Sequence, residues 1–191
     1  LDGLIDEKDQ GITIDIAFKY FNFDKRQIVL VDSPGHVEFT KNMANASTYA
    51  NIAIILLDVQ KGITEQTLTH LKIILKLSEV TEIIFCVNKM DKIDYDSKYF
   101  IDVSKKVDAL LFNERKVNSY IIPISALKGE NITKNSKLMS YYRGNNLLDT
   151  LKNINVNQIN DYSNSMRVQS IEKDNGERLY FVDIFEGKID L

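Results

Sequence analysis

The sequence has one cysteine and two histidines, so no disulfide framework and no cysteine–histidine metal cluster can be written from it. Cys86 stands inside the apolar run Ile83-Ile84-Phe85-Cys86-Val87, where a lone thiol is a small core residue. A reducing cytoplasm suits that use of cysteine. No apolar run approaches the roughly 20 residues of a membrane-spanning helix. The opening residues Leu1-Asp2-Gly3-Leu4-Ile5-Asp6-Glu7 do not resemble a signal peptide. A net charge of −3 gives no overall reason to expect a nucleic-acid partner. No serine–histidine–aspartate arrangement for nucleophilic catalysis can be argued. Also missing is any Gly-x-x-x-x-Gly-Lys-Ser/Thr run, the loop whose amides and lysine cradle phosphates. Leu1 is not an initiator methionine, and the chain is expected to be a piece of a longer one.

What is present is ordinary in bulk and specific in detail. With 44% hydrophobic and 27% charged residues over 191 positions, the composition is that of a soluble globular protein able to bury a core. Ile14, Ile16, Phe18 and Tyr20 alternate and predict a half-buried strand. Asp24-Lys25 makes a polar turn into a second strand over 27–31, so the two form a hairpin. Helices are expected over 37–49, 64–78, 96–112 and 147–154, with Thr64 capping the second. The continuous apolar run Ile52-Ala53-Ile54-Ile55-Leu56-Leu57 predicts a strand covered on both faces, and 83–87 another. Tyr120-Ile121-Ile122-Pro123-Ile124 is a strand whose proline places it at an edge or a strand end. Strands alternating with helices give an α/β fold with a mostly parallel sheet and right-handed crossovers. Residues 155–165 read as an Asn/Ser-rich linker, and 166–191 alternate again like the opening strands of a β domain.

Four short segments carry chemistry, and three directly follow apolar strands, where doubly wound sheets build ligand sites. Asp32-Ser33-Pro34-Gly35-His36 follows the second strand. Asp32 can hold Mg2+ through a water, or it can cap a helix. Gly35 can bring its amide close to a terminal phosphate. His36 can position an attacking water, or it can be structural. In Asn88-Lys89-Met90-Asp91, the Asp91 carboxylate can accept two hydrogen bonds from the guanine edge, a fit adenine cannot make. Asn88 can bond the base's other edge and brace neighbouring loops, and the stem of Lys89 can lie against the ring. In Ser125-Ala126-Leu127, the Ala126 amide could donate to guanine O6. Thr13 of Gly11-Ile12-Thr13 could give its hydroxyl to Mg2+ and its amide to a γ-phosphate, or could simply open a strand. Asp58 reads as a strand end bonding nearby loop backbone. His70 reads as a surface or packing residue.

Taken in chain order, with Gly11-Ile12-Thr13 first, the four segments resemble the translation-factor superfamily of GTPases. Finer features resemble one branch, the large GTPase subunit of bacterial sulfate adenylyltransferase. They are Asp2-Gly3-Leu4 through Glu7-Lys8-Asp9-Gln10-Gly11-Ile12-Thr13, Val37-Glu38-Phe39-Thr40-Lys41-Asn42-Met43, and Ser125-Ala126-Leu127-Lys128-Gly129-Glu130-Asn131. Tyr141-Tyr142-Arg143-Gly144 departs from that branch, which carries tryptophan at the first position.

The resemblance implies a P-loop NTPase-type GTPase domain over 1–154, lacking its first strand and phosphate loop, a linker over 155–165, and the start of a β-barrel over 166–191. It implies GTP and Mg2+ as cofactors, with Thr13 and Asp32 on the metal. Gly35 would meet the γ-phosphate and His36 the water. Asn88, Lys89, Asp91, Ser125, Ala126 and Leu127 would surround guanine. It implies a catalytic ATP-sulfurylase small subunit as partner, with ATP and sulfate as substrates of the complex, in the cytoplasm, with no membrane and no nucleic acid. The alternative is an elongation-factor-type translational GTPase, against which Gln10 before Gly11 speaks. Without a phosphate loop this stretch alone is expected to bind GTP weakly or not at all, and not to turn it over.

Overall fold

The computed structural model describes residues 13, 15–23, 26–112, 114, 117–155, 166–174 and 177–184. The segment before Thr13, the Asp24-Lys25 turn, the linker from 156 to 165 and the residues after Ile184 lie outside the described residues. The chain divides into two compact units, Leu1–Val156 and Asn157–Leu191.

In the first unit, β1 (Ala17–Phe23) and β2 (Arg26–Asp32) pair antiparallel, with Ala17 opposite Asp32 and Phe23 opposite Arg26. The hairpin is more exposed than the alternation predicts: Phe18, Tyr20, Val29 and Leu30 all remain in solvent to a large extent. Phe18 finds one partner, an edge-on contact with Tyr49 at 5.9 Å between centroids. Arg26 anchors the turn end of the hairpin by donating to the Ile154 carbonyl at 2.6 Å.

A 3-10 turn at Val37–Phe39 leads into α1 (Thr40–Ser47), shorter than the helix the sequence suggests. The position before α1 is Phe39, which offers no capping oxygen, so Asp32 does not cap this helix. Then β3 (Ile52–Asp58), α2 (Glu65–Leu77), β4 (Glu82–Asn88), α3 (Ser97–Leu111), β5 (Asn118–Pro123) and α4 (Leu147–Asn153) follow. The three strands form a parallel sheet in the order β3-β4-β5. Thr64 caps α2 as its position suggests: its hydroxyl accepts the Thr67 amide at 3.2 Å, and the Thr67 hydroxyl accepts the Thr64 amide at 3.4 Å. Asp96 caps α3 by accepting the Lys98 amide.

Period-two alternation along β4 sends side chains to two cores. Ile83, Phe85 and Val87 pack with Leu57, Leu71, Ile74, Val103 and Val107 on one face. Ile84 and Cys86 pack with Ile122, Ile124 and Ile154 on the other, beside Leu147 and Leu151 of α4. β4 is therefore the strand covered on both faces. β3 departs from that expectation: Ile54 is 38% and Leu56 64% exposed. The physical reason is position, because among the described residues β3 pairs on one side only, while α4 packs with the β4 and β5 residues of the second core. Pro123 closes β5 at its last residue, where the missing N–H removes no ladder bond.

The second unit contains β6 (Met166–Asp174) and β7 (Glu177–Ile184), an antiparallel pair with a register shift between Val168 and Ser170. Among the described residues, no helix is long and apolar enough to cross a membrane.

Candidate functional site

The parallel register places Asp58 opposite Asn88 and Val87 opposite Pro123, so β3, β4 and β5 reach the same rim together. Beyond it the chain must turn sharply. Lys89 adopts the left-handed region at φ 66°, and Asp94 and Tyr95 do so at 50° and 59°. Between them Met90 is fully buried and pins the loop to the core. Its amide donates to the Ile124 carbonyl at 3.2 Å, and the Ile124 amide donates to Val87 at 2.8 Å. The β4 and β5 loops are thus stitched to each other by backbone as well as by packing.

Side chains complete the joint. Ser125, fully buried, donates its hydroxyl to Asp91 Oδ1 at 2.5 Å. The Ser125 oxygen also accepts the Lys128 amide at 3.3 Å. Asn88 Oδ1 accepts two amides, those of Lys89 at 2.7 Å and Ala126 at 3.0 Å. Asn88 therefore braces neighbouring loops as the sequence suggests, while the Ala126 amide, which the sequence directs at a base carbonyl, serves that brace. Leu127 stands 78% exposed at the loop's crest. The Ser125 hydrogen bond, with help from the charges of Lys92 and Lys128, holds the Asp91 carboxyl below the usual carboxylate range.

Two contributors escape the sequence reading. Asp58 forms an ion pair with Lys89, Nζ to Oδ2 at 2.9 Å, in addition to its expected turn bond from the Gln60 amide. That pairing is the first cause of its lowered pKa. The signal was available: Asp58 ends a strand beside the one that Asn88 ends. Asn131 is fully buried at φ 56°. It donates to the Pro123 carbonyl at 2.9 Å and accepts the Ser136 amide at 2.6 Å, supporting the Ser125 loop from beneath. No short-range pattern marks it.

The other segment stands apart. Asp32 ends β2, and Pro34 is buried. The ring of His36 is half exposed, with its Nδ1 3.6 Å from Glu38. Among the described residues, Thr13, Asp32 and His36 make no hydrogen bond to Asn88, Asp91 or Ser125. Gly11 and Ile12 lie outside the described residues, so Thr13 is described without its motif. A Cβ at Gly35 would meet only Gln66 Nε2, at 4.0 Å, in the first turn of α2. That helix starts seven residues after Asp58 leaves the rim. Among the described residues no group of three His, Cys, Asp or Glu side chains could hold a metal ion.

A parallel sheet flanked by helices, carrying an Asn-Lys-x-Asp loop tied to a Ser-Ala-Leu loop at the strand ends, defines a GTPase-type α/β domain. Residues 1–157 match the elongation factor Tu GTP binding domain, and the chain belongs to that family. It is 41% identical over 156 residues to sulfate adenylyltransferase subunit 1 of Tolumonas auensis, covering 82% of this chain and 33% of that one. It is 39% identical over 181 residues to the protein of the same name from Buchnera aphidicola, covering 93% and 38%. The chain therefore spans about a third of the length of these curated relatives. Among solved structures it resembles a bacterial selenocysteine-specific elongation factor, at TM-score 0.69 and 27% identity over 97% of this chain and 30% of that chain. It also resembles translation elongation factor SelB from Methanococcus maripaludis in complex with the GTP analogue GppNHp, at TM-score 0.59 and 26% identity over 83% and 31%.

Proposed function

We propose that this chain is the guanine-nucleotide-binding part of a sulfate adenylyltransferase GTPase subunit. On this reading GTP is hydrolysed to GDP and phosphate, and that hydrolysis drives a catalytic partner subunit to join ATP and sulfate into adenosine 5′-phosphosulfate and pyrophosphate, in the cytoplasm. The adenylylation is uphill, so coupling to a second triphosphate makes physical sense. The observation that carries the nucleotide half is the Ser125–Asp91 hydrogen bond, which fixes a charged carboxylate at the sheet's carboxyl rim. The names of relatives near 40% identity support the sulfate half.

The residues then divide the work. Asp91 accepts the two N–H groups of the guanine edge. Lys89 lays its stem against the ring, and the Asn88 and Ala126 loops flank the base. Gly35 offers its amide toward a terminal phosphate, because the protein's own packing does not require a glycine there. His36, half exposed, positions the attacking water. Thr13 and Asp32 fit Mg2+ by donor type, one hydroxyl and one carboxylate. Mg2+ is characteristically held by one or two protein oxygens with phosphates and waters completing the shell. When bound, it would neutralise charge on the phosphates. The β6–β7 hairpin would open a β-barrel domain.

The direct test uses the complete polypeptide with its partner. GTP hydrolysis should rise when ATP and sulfate are supplied, and adenosine 5′-phosphosulfate should accumulate with GTP consumed. Hydrolysis indifferent to ATP and sulfate, together with capture of aminoacyl-tRNA, would favour a translational GTPase. The relatives near 40% identity favour the former.

A further inference from the structure

Asp58 lies outside both loops assigned to the base, yet its carboxylate is committed to one of them. The two oxygens do separate work. Oδ1 accepts the Gln60 amide at 2.9 Å and closes the turn that leaves β3. Oδ2 accepts the Lys89 ammonium at 2.9 Å. The backbone carbonyl of Asp58 accepts the amides of Lys61 and Gly62 at 3.1 and 2.8 Å, so the anion sits on a clamped turn. The side chain of Asp58 is 18% exposed and that of Lys89 54%. A half-exposed lysine samples many rotamers, and fixing it is costly in entropy unless something holds its tip. The left-handed backbone at Lys89 turns the chain at the point where its side chain departs, and the anion at the end of the neighbouring strand catches the tip.

We infer that Asp58 is a positioning residue for nucleotide binding: by anchoring the Lys89 ammonium it holds the lysine stem as the apolar wall against which the purine ring lies. The inference rests on the guanine reading above and extends it to a residue on a different strand. It separates two roles. Asp91 faces the edge of the base and decides which purine is accepted. Asp58 acts through the stem beneath the ring and affects every purine alike. Removing the Asp58 charge therefore weakens binding without changing the preference among bases.

The test is made on the polypeptide as the cell produces it, in its native assembly, with a fluorescent mant-GDP probe displaced by GDP or by inosine diphosphate. Asp58→Asn keeps an oxygen for the Gln60 amide and loses the charge. It should weaken both nucleotides by the same factor, about fivefold for a partly exposed ion pair. Combined with Lys89→Ala it should add nothing to the loss from Lys89→Ala alone, because Asp58 acts only through that side chain. Asp58→Glu should recover most of the affinity. If Asp58→Asn fails to fold, Lys89→Met carries the same comparison, keeping the stem and losing the ammonium, with the same equal weakening expected. Unchanged affinity, unequal effects on the two bases, or a full loss that persists beside Lys89→Ala overturns the inference while leaving the guanine reading intact. Failure of the unmodified protein to bind GDP sinks both.

Discussion

Ser125 and Asp91 lie 34 positions apart in the chain and meet in a 2.5 Å hydrogen bond where two parallel strands end. The serine is fully buried and the aspartate partly exposed, so the donor is fixed by the core and the acceptor takes its orientation from the donor. Ser125→Ala removes that orientation without a change of volume large enough to disturb the sheet. Its expected effect on guanine nucleotide affinity is roughly fivefold, by loss of a charge-assisted hydrogen bond. The Asp91 pKa is held below its unfolded value, so its stabilising contribution is present above about pH 4 and disappears as pH falls through the folded value. In Ser125→Ala the folded-state pKa rises toward the unfolded value, so this pH-dependent contribution shrinks. Carboxyl-carbon NMR titration of the two proteins measures the difference.

Asn131 supports the same loop from inside. Asn131→Ala strips the Pro123 carbonyl and the Ser136 amide of their partners and puts a Cβ-bearing residue without local hydrogen bonds at φ 56°. The expected loss of stability is about 2–4 kcal/mol. Asn131→Gly removes the same hydrogen bonds but relieves the backbone, and should be less damaging by about 1 kcal/mol. Urea titrations of the three proteins separate the two contributions.

At the start of α2, Thr64→Ala deletes the cap and should cost about 1 kcal/mol. The first turn of this helix brings Gln66 toward Gly35, so fraying there should also raise amide hydrogen exchange over residues 64–68. Exchange mass spectrometry reads it.

Burial pushes the Cys86 thiol up to about 12 and leaves none of it exposed. At neutral pH it is expected to be inert toward a disulfide reagent while the protein is folded, reacting only through opening of the sheet. The modification rate should therefore rise in parallel with unfolding in urea. A fast reaction in native buffer would contradict the buried position.

The elements that pack were legible because burial imposes a period on them. The β4 run from Ile83 to Val87 and the spacing of Leu71 and Ile74 in α2 could be read directly, as could the Thr64 cap. The Asn88–Asp91 and Ser125–Leu127 loops were legible as motifs, because their short spacing survives without knowledge of the fold. What escaped was set by neighbours far along the chain. Ile54 and Leu56 look like core residues, and only the strand order makes them exposed. Asp58 looks like a polar strand end, and only the register beside Asn88 gives it Lys89. Asn131 has no local signature, since its partners are carried by other turns.

The backbone stitching from Met90 to Ile124 and from Ile124 to Val87 has a thermodynamic corollary. The cradle proposed for the base is assembled before any visitor arrives, so capture there should cost little disorder. Nucleoside without phosphates should accordingly bind with a favourable heat and a small entropic penalty, leaving whatever rearrangement the complete site undergoes to the opposite end of the nucleotide.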